Sequence, residues 1–254
     1  MEDGYKYIVS LGGGCDVALA LQFCKIRDEA CIFDWLWNLN SGLENVYSII
    51  EDNFVEFLKT DSYYYEKYPI FGKKQVLTHK KYPQLVLLHQ NPLDNKNDAD
   101  ALERRAQRFL NILKSKEKVL FIYYRLMDKN EDRTDFSELL TSESTIFAQK
   151  LHDLYPELKF DLLSLYMAKD IDKDRFKWVE EVSVSKDCRI FFDSVLLREG
   201  EKEEGHAISQ EIWIDVLLKY VLKSRLKRFF FREILRCRLK LNQFKSKFKR
   251  KKTA

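Results

Sequence analysis

The fold of this chain is decided by residues 7–15, which read Tyr-Ile-Val-Ser-Leu-Gly-Gly-Gly-Cys. The apolar run predicts a short buried strand, and the residues from Asp16 onward predict a helix directly after the glycines. At such a junction, free backbone N–H groups and the positive end of the helix dipole favour a thiolate or another anion. Two interpretations follow: either Cys15 is a nucleophile, or the glycines hold a phosphate and Cys15 takes no part.

Strand and helix patterns alternate along the rest of the chain. Apolar runs predict strands over 75–79, 84–89, 118–124, 159–166 and 189–195. Apolar residues at helical spacing predict helices over 41–54, 99–114, 138–154, 173–182 and 206–220. The tyrosine-rich segment 63–68 is expected to be a packed loop. Strand, helix, strand in repeated order indicates right-handed crossovers, so we expect an α/β fold with a central, mostly parallel sheet flanked by helices.

Composition limits the class of protein. The 254 residues are 45% hydrophobic, which is enough for one sizeable core. The five cysteines are odd in number and lack CxxC or Cys/His metal spacing, so we expect a reduced, cytoplasmic protein with no metal and no cofactor. No apolar run reaches the roughly 18 residues that a membrane-spanning helix requires, so we expect neither export nor an integral membrane protein.

The C-terminal segment differs sharply in charge from the rest of the chain. Residues 222–254 hold 14 Lys or Arg and one acid, so the totals of 44 and 40 leave 30 basic and 39 acidic residues elsewhere, or +13 against −9. Apolar residues recur there at steps of three and four: Leu226, Phe230, Ile234, Cys237, Leu241, Phe244 and Phe248. We therefore expect a domain over 1–220 and a basic amphipathic helix over 221–254. An anionic membrane surface is its favoured partner, then a protein surface, with nucleic acid least favoured.

A cysteine nucleophile needs a base, a group that orients the base, and donors for an oxyanion. His89 ends the predicted strand 84–89 and is the first candidate for the base, with His79 second. Asp34 lies among Phe33, Trp35 and Trp37 and is the first candidate for the orienting group. Asn91 and Asp161 are the next candidates.

The phosphate interpretation uses the same glycines differently. The protein would then be a non-catalytic or glycosyltransferase-associated module. Gly13 and Gly14 would bind the phosphate of a sugar donor, with Arg104, Arg108 or Arg125 as counter-charges. The turn lacks both the Lys-Ser/Thr of a P-loop and the third glycine of GxGxxG. A third interpretation is an adaptor that docks through its tail.

The N-terminal part of the chain resembles the N-terminal sequence of a bacterial family described as papain-like cysteine peptidases. The resemblance lies in residues 8–18, which match its S-L-G-x-x-C motif, and in Phe33-Asp34-Trp35-Leu36, which match its F-D-W motif. The family also carries a His at a strand end, an Arg-rich helix and an apolar strand. His89, residues 104–109 and residues 119–122 are similar in kind and order, although Gln90 stands where the family tends to have Asp and Ile32 where it tends to have Pro.

The resemblance implies a Cys–His hydrolase, peptidase or acyl transferase acting on an amide, ester or thioester. It places the catalytic roles on Cys15, His89 and Asp34, with backbone donors near Gly14. It also implies a link to surface polysaccharides, which suits a cytoplasmic protein held at the inner face of the membrane by its tail. Because the chain shows a strand, a glycine turn and a helix, we expect an α/β sheet rather than a strict papain architecture.

Overall fold

Two β-sheets and their flanking helices make up the described part of the chain. The computed structural model describes residues 4–27, 29–39, 42–72, 74–126, 133–168, 180–196, 210–222, 227 and 229–238. The strands are β1 (Tyr7–Ser10), β2 (Leu36–Asn38), β3 (Tyr63–Lys67), β4 (Gln75–His79), β5 (Leu85–Leu87), β6 (Val119–Leu126), β7 (Phe160–Ala168), β8 (Glu180–Ser185) and β9 (Cys188–Leu196). The helices are α1 (Asp16–Cys24), α2 (Gly42–Glu51), α3 (Lys96–Leu113), α4 (Arg133–Leu154) and α5 (Gln210–Val221), with two 3-10 turns (Thr60–Ser62 and Pro69–Phe71). Residues 229–238 are also helical.

The main sheet has five strands in the order β1-β6-β7-β9-β8. The first four are parallel, and β8 is antiparallel to β9. Successive residues of β6 alternate between two hydrophobic clusters: Phe121 and Tyr123 face one, and Ile122 and Tyr124 face the other. A strand that is apolar on both faces requires cover on both, which the helices supply. The predicted α/β fold with a mostly parallel sheet is confirmed.

A smaller antiparallel sheet, in the order β2-β5-β4-β3, packs beside the main one. One face carries leucines that join the main core: Leu36, Leu77, Leu85 and Leu87. The other face carries three buried side chains, Trp37, Val76 and Val86, which we call the Trp37 cluster. The alternation of side chains along a strand separates the two sets. This second face is where the small sheet meets the segment that contains Cys15.

The helices divide between the two faces of the main sheet. Buried residues of α2, α3 and α4 belong to the same cluster as the leucine face of the small sheet. Buried residues of α1 and α5, together with Leu235, form the cluster on the opposite face. Among the described residues, no helix is long and apolar enough to cross a membrane.

Several predicted elements need correction. Tyr63, Tyr64 and Tyr65 begin strand β3 rather than a loop, because they pair with β4 in antiparallel register. The predicted helix over 173–182 is wrong at its end, since Glu180 starts strand β8; residues 173–179 lie outside the described residues. Residues 206–209 of the predicted helix 206–220 also lie outside the described residues, as do residues 223–226, 228 and 239–254 of the predicted basic helix. The division of the chain at residues 220 and 221 stays a prediction.

Candidate active site

The glycine turn fixes Cys15 at the N-terminus of α1. Gly13 has φ +97°, and a Cβ built there would lie 1.7 Å from the carbonyl oxygen of Tyr124 at the end of β6. Only a residue without a side chain can pass so close to that strand. The turn is also held by the Gly12 N–H, which donates to Ser10 Oγ at 3.2 Å. Cys15 occupies the N-cap position of α1, and its side chain makes no capping hydrogen bond. The predicted strand, turn and helix are thus all present.

The surroundings of the Cys15 thiol raise its pKa. The side chain is half-buried, and this burial is the main cause. The carboxylate of Asp16 raises the pKa further, while the backbone N–H of Cys15 lowers it. The predicted lowering of this pKa is wrong, because loss of water and the Asp16 carboxylate outweigh the backbone hydrogen bond. A thiol that is protonated at neutral pH needs a base before it can act as a nucleophile.

Three other cysteines are buried more completely than Cys15. Cys24, Cys31 and Cys188 are buried, and burial raises the pKa of each to about 12. Cys237 is exposed and lies on the helix at 229–238. Among the described cysteines, Cys15 is the one that is half-buried, so its thiol is fixed in the fold and still partly accessible.

His89 follows β5, and the residue before it contacts the same cluster as Cys15. Leu88 and Cys15 both pack against the Trp37 cluster. The exposed His89 ring stands edge-on to Trp35, with 5.3 Å between the ring centres. Among the described residues, no hydrogen bond joins the Cys15 thiol to this ring. The structure thus brings the two segments to one cluster, and their pairing as nucleophile and base stays a prediction.

His79, the second candidate base, is a core residue. Its ring is buried and stacks on Tyr82 at 4.7 Å between centres. The Lys81 N–H donates to Nδ1 at 3.1 Å, so Nε2 carries the proton and donates to the carbonyl of Glu56 at 3.1 Å. Burial lowers the pKa of His79. With both ring nitrogens engaged, this histidine is not available to a substrate.

Asp34 is fully buried and turned toward basic side chains. Its Oδ2 accepts hydrogen bonds from the Arg27 guanidinium and, at 2.7 Å, from the Cys31 N–H. Burial raises the pKa of Asp34, and Arg27 is the largest opposing influence. No hydrogen bond joins Asp34 to His89 within the described ranges. The carboxylate is removed from solvent. Its shielding by the neighbouring aromatic residues and its orienting role stay predictions.

The two reserve candidates for the orienting group lie elsewhere. Asn91 donates to the Tyr65 hydroxyl at 2.9 Å in an exposed loop. Asp161 is the second residue of β7, so it lies at the N-terminal end of the parallel strands, whereas the glycine turn follows the C-terminal end of β1. It accepts from Tyr5, Lys118 and Arg189. Asp161 is therefore a structural carboxylate.

The contacts of the three arginines in the phosphate interpretation do not bring their side chains together. Arg108 donates to the carbonyl of Ala30 and pairs with Glu29. Arg125 follows Tyr124 on β6, but its guanidinium pairs with Glu143 at 2.9 Å. Arg104 is exposed on α3. A phosphate site at Gly13 and Gly14 gains no support from these contacts and stays a prediction.

Sequence reasoning missed two neighbours of Cys15. Asp16 raises the pKa of the thiol, and Trp37 packs beside Gly14, with ring carbons 3.9 Å from where a Cβ would lie. The alternation Trp35-Leu36-Trp37 was the available signal, because it puts Leu36 on one face of a strand and Trp37 on the other. In the described part of the chain, no group of three His, Cys, Asp or Glu side chains could hold a metal ion.

Comparison with known families adds to this geometry. The family model described as "Putative papain-like cysteine peptidase (DUF1796)" matches residues 6–168, which is more than half of the chain. The chain belongs to this family. The match runs from β1 to the end of β7 and includes Cys15, Asp34 and His89. No curated protein and no solved structure matches the chain. In this member of the papain-like cysteine peptidase family, the matched region carries a cysteine between a parallel strand and a helix.

Proposed function

We propose that the protein is a cysteine hydrolase, peptidase or acyl transferase in which Cys15 is the nucleophile and His89 the general base. The observation that carries the proposal is the shared packing of Cys15 and Leu88 on the Trp37 cluster, since His89 directly follows Leu88. The family match supports the same chemistry. The half-burial of Cys15 fits a nucleophile that meets its substrate at the surface of the domain.

In the proposed reaction, the His89 ring takes the proton of the Cys15 thiol as Sγ attacks the carbonyl carbon of an amide, ester or thioester. The backbone N–H groups of Gly14 and Cys15, at the positive end of α1, stabilise the oxyanion. Collapse of the intermediate breaks the bond to the leaving group, which takes the proton from His89. Water, or a second acceptor in a transferase, then gives a proton to His89 and attacks the thioester, which restores the thiol.

The raised pKa of Cys15 fits a general-base mechanism better than a resting thiolate. Burial and Asp16 disfavour the charged sulfur, so the proton is removed only as the carbon–sulfur bond forms. The side chain that packs on the His89 ring is Trp35, and we keep Asp34 as the predicted orienting group. The class of substrate, an acyl compound of surface polysaccharide metabolism, rests on the resemblance alone.

An acylation assay tests the proposal. We expect p-nitrophenyl acetate to form an acetyl adduct on Cys15, detected by peptide mass spectrometry in a Cys237→Ser background that removes the exposed thiol. Cys15→Ser should abolish the adduct. His89→Ala should slow acylation by a factor on the order of 100 to 10,000, the range of general-base catalysis.

The matched control is His152→Ala, which removes a histidine from α4 and should leave the acylation rate unchanged. If His89→Ala acylates Cys15 at the rate of the parent protein, His89 is not the base. If the adduct forms on other residues and not on Cys15, the nucleophile assignment fails.

A further inference from the structure

The helix at residues 229–238 holds large apolar side chains in solvent. Phe230 and Ile234 are each 63% exposed and Phe229 is 51% exposed. Cys237 is exposed as well, and Phe230, Ile234 and Cys237 recur at steps of four and three residues, which places them along one face. We call these four residues the outer face. An exposed apolar surface beside charged residues marks an interaction site.

A different side of the same helix attaches it to the domain. Leu235 is buried, and Phe231 is partly buried in the same cluster as α1 and α5. Asp215 of α5 pairs with Arg232 and Arg236 at 3.5 Å each. The outer face is therefore not the side by which the helix packs on its own domain, and the attachment holds it outward.

The charge of this segment identifies the partner. Residues 222–254 hold 14 Lys or Arg and one acid, whereas the rest of the chain carries nine more acids than bases. The apolar residues that continue the stripe in the sequence, Leu241, Phe244 and Phe248, keep the same spacing among these cations. A nucleic-acid backbone would use the cations but not a row of phenylalanines. A lipid surface with anionic headgroups uses both.

We propose that the outer face binds the surface of an anionic lipid membrane, with the helix lying in the plane of the interface. Phe229, Phe230 and Ile234 enter the boundary between headgroups and acyl chains. The basic residues of 222–254 meet the anionic headgroups. The acidic body of the protein is repelled by the same surface, so the basic segment sets which side of the molecule faces the lipid.

Vesicle flotation with the full chain tests this proposal. We expect the protein to float with vesicles of phosphatidylcholine containing phosphatidylglycerol and not with phosphatidylcholine alone, and we expect added salt to weaken binding. The triple variant Phe229→Ala/Phe230→Ala/Ile234→Ala should lower the partition coefficient by about tenfold or more, because it removes the inserted apolar groups.

The matched control is Val55→Ala/Ile70→Ala/Leu139→Ala, which removes three exposed apolar side chains elsewhere on the domain. It should leave flotation unchanged, and both variants should melt like the parent protein. Equal flotation of the two triple variants, or equal binding to neutral vesicles, overturns the proposal. The proposal also fails if the protein does not float with vesicles but shifts polyuridylate in a gel, or does not float but self-associates through the outer face.

Discussion

Substituting Gly13 tests whether the close approach of the glycine turn to β6 positions the nucleophile. The new Cβ of Gly13→Ala would lie 1.7 Å from the Tyr124 carbonyl oxygen, whereas real Cβ contacts essentially never fall below 3.0 Å. The turn and β6 must therefore move apart by at least 1.3 Å. Overpacking of this kind costs about 1–3 kcal/mol, and a non-glycine residue at φ +97° adds about 1–2 kcal/mol. We expect a loss of about 3 kcal/mol, which lowers Tm by about 6–12 °C in a chain of this size.

The same shift should reach the chemistry, because Cys15 is only two residues away. Displacing a nucleophile by about 1 Å reduces the rate by a factor on the order of 100. Thermal unfolding and the acylation assay measure the two effects. Gly72→Ala is the matched control, since Gly72 also has positive φ (+64°) but has nothing within 4 Å of its Cβ position. It should cost about 1 kcal/mol and leave acylation unchanged. Equal melting of the two variants would refute the steric argument.

Two further predictions concern pH. Because burial raises the pKa of Cys15, alkylation by iodoacetamide should be slow at pH 7, and its rate should rise about tenfold per pH unit to beyond pH 9. A rate that does not change between pH 5 and pH 8 would instead indicate a thiolate paired with an imidazolium. Burial alone would raise the pKa of Asp161, but hydrogen bonds from Arg189, Lys118 and Tyr5 hold this pKa below its ordinary value. The ionised carboxylate therefore stabilises the fold above the unfolded pKa of 3.8, and this stabilisation is lost as pH falls through the folded pKa. Asp161→Asn should lower the free energy of unfolding by about 2 kcal/mol at pH 7. This loss is smaller than for a fully buried ion pair because the side chains of Lys118 and Arg189 are 36% and 39% exposed, and it should be smaller still in acid. Urea unfolding at pH 7 and pH 3 checks this, and an equal difference at both would contradict it.

The elements that local pattern determines were predictable from the sequence. The run that ends in three glycines predicts a strand, a turn and a helix, and β1 and α1 are found there. The apolar runs over 118–124 and 159–166 correspond to β6 and β7. Tyr63 to Tyr65 were misread because their strand exists only through pairing with β4, a partner that local sequence does not specify.

The site depends on contacts between distant segments and was less predictable. His79 ends β4 and His89 lies two residues beyond the end of β5. The rings around His79 come from Phe57, Tyr63 and Tyr82, whereas His89 contacts Trp35. The sign of the Cys15 pKa shift likewise depends on burial by the small sheet. The aromatic neighbours of Asp34 predicted its removal from water, but nothing in the spacing identified Arg27 as its partner.

The position of β1 has a consequence for the order of folding. This strand lies at the end of the main sheet beside β6, in a register that joins Tyr7 to Val119, 112 residues later. During synthesis, the first strand therefore waits until β6 has left the ribosome before it can pair. Until then, Cys15 lacks the burial that raises its pKa, so we expect it to be more easily oxidised or alkylated than in the finished protein. The rate at which Cys15 becomes protected from alkylation thus measures the arrival of the N-terminal strand in the sheet.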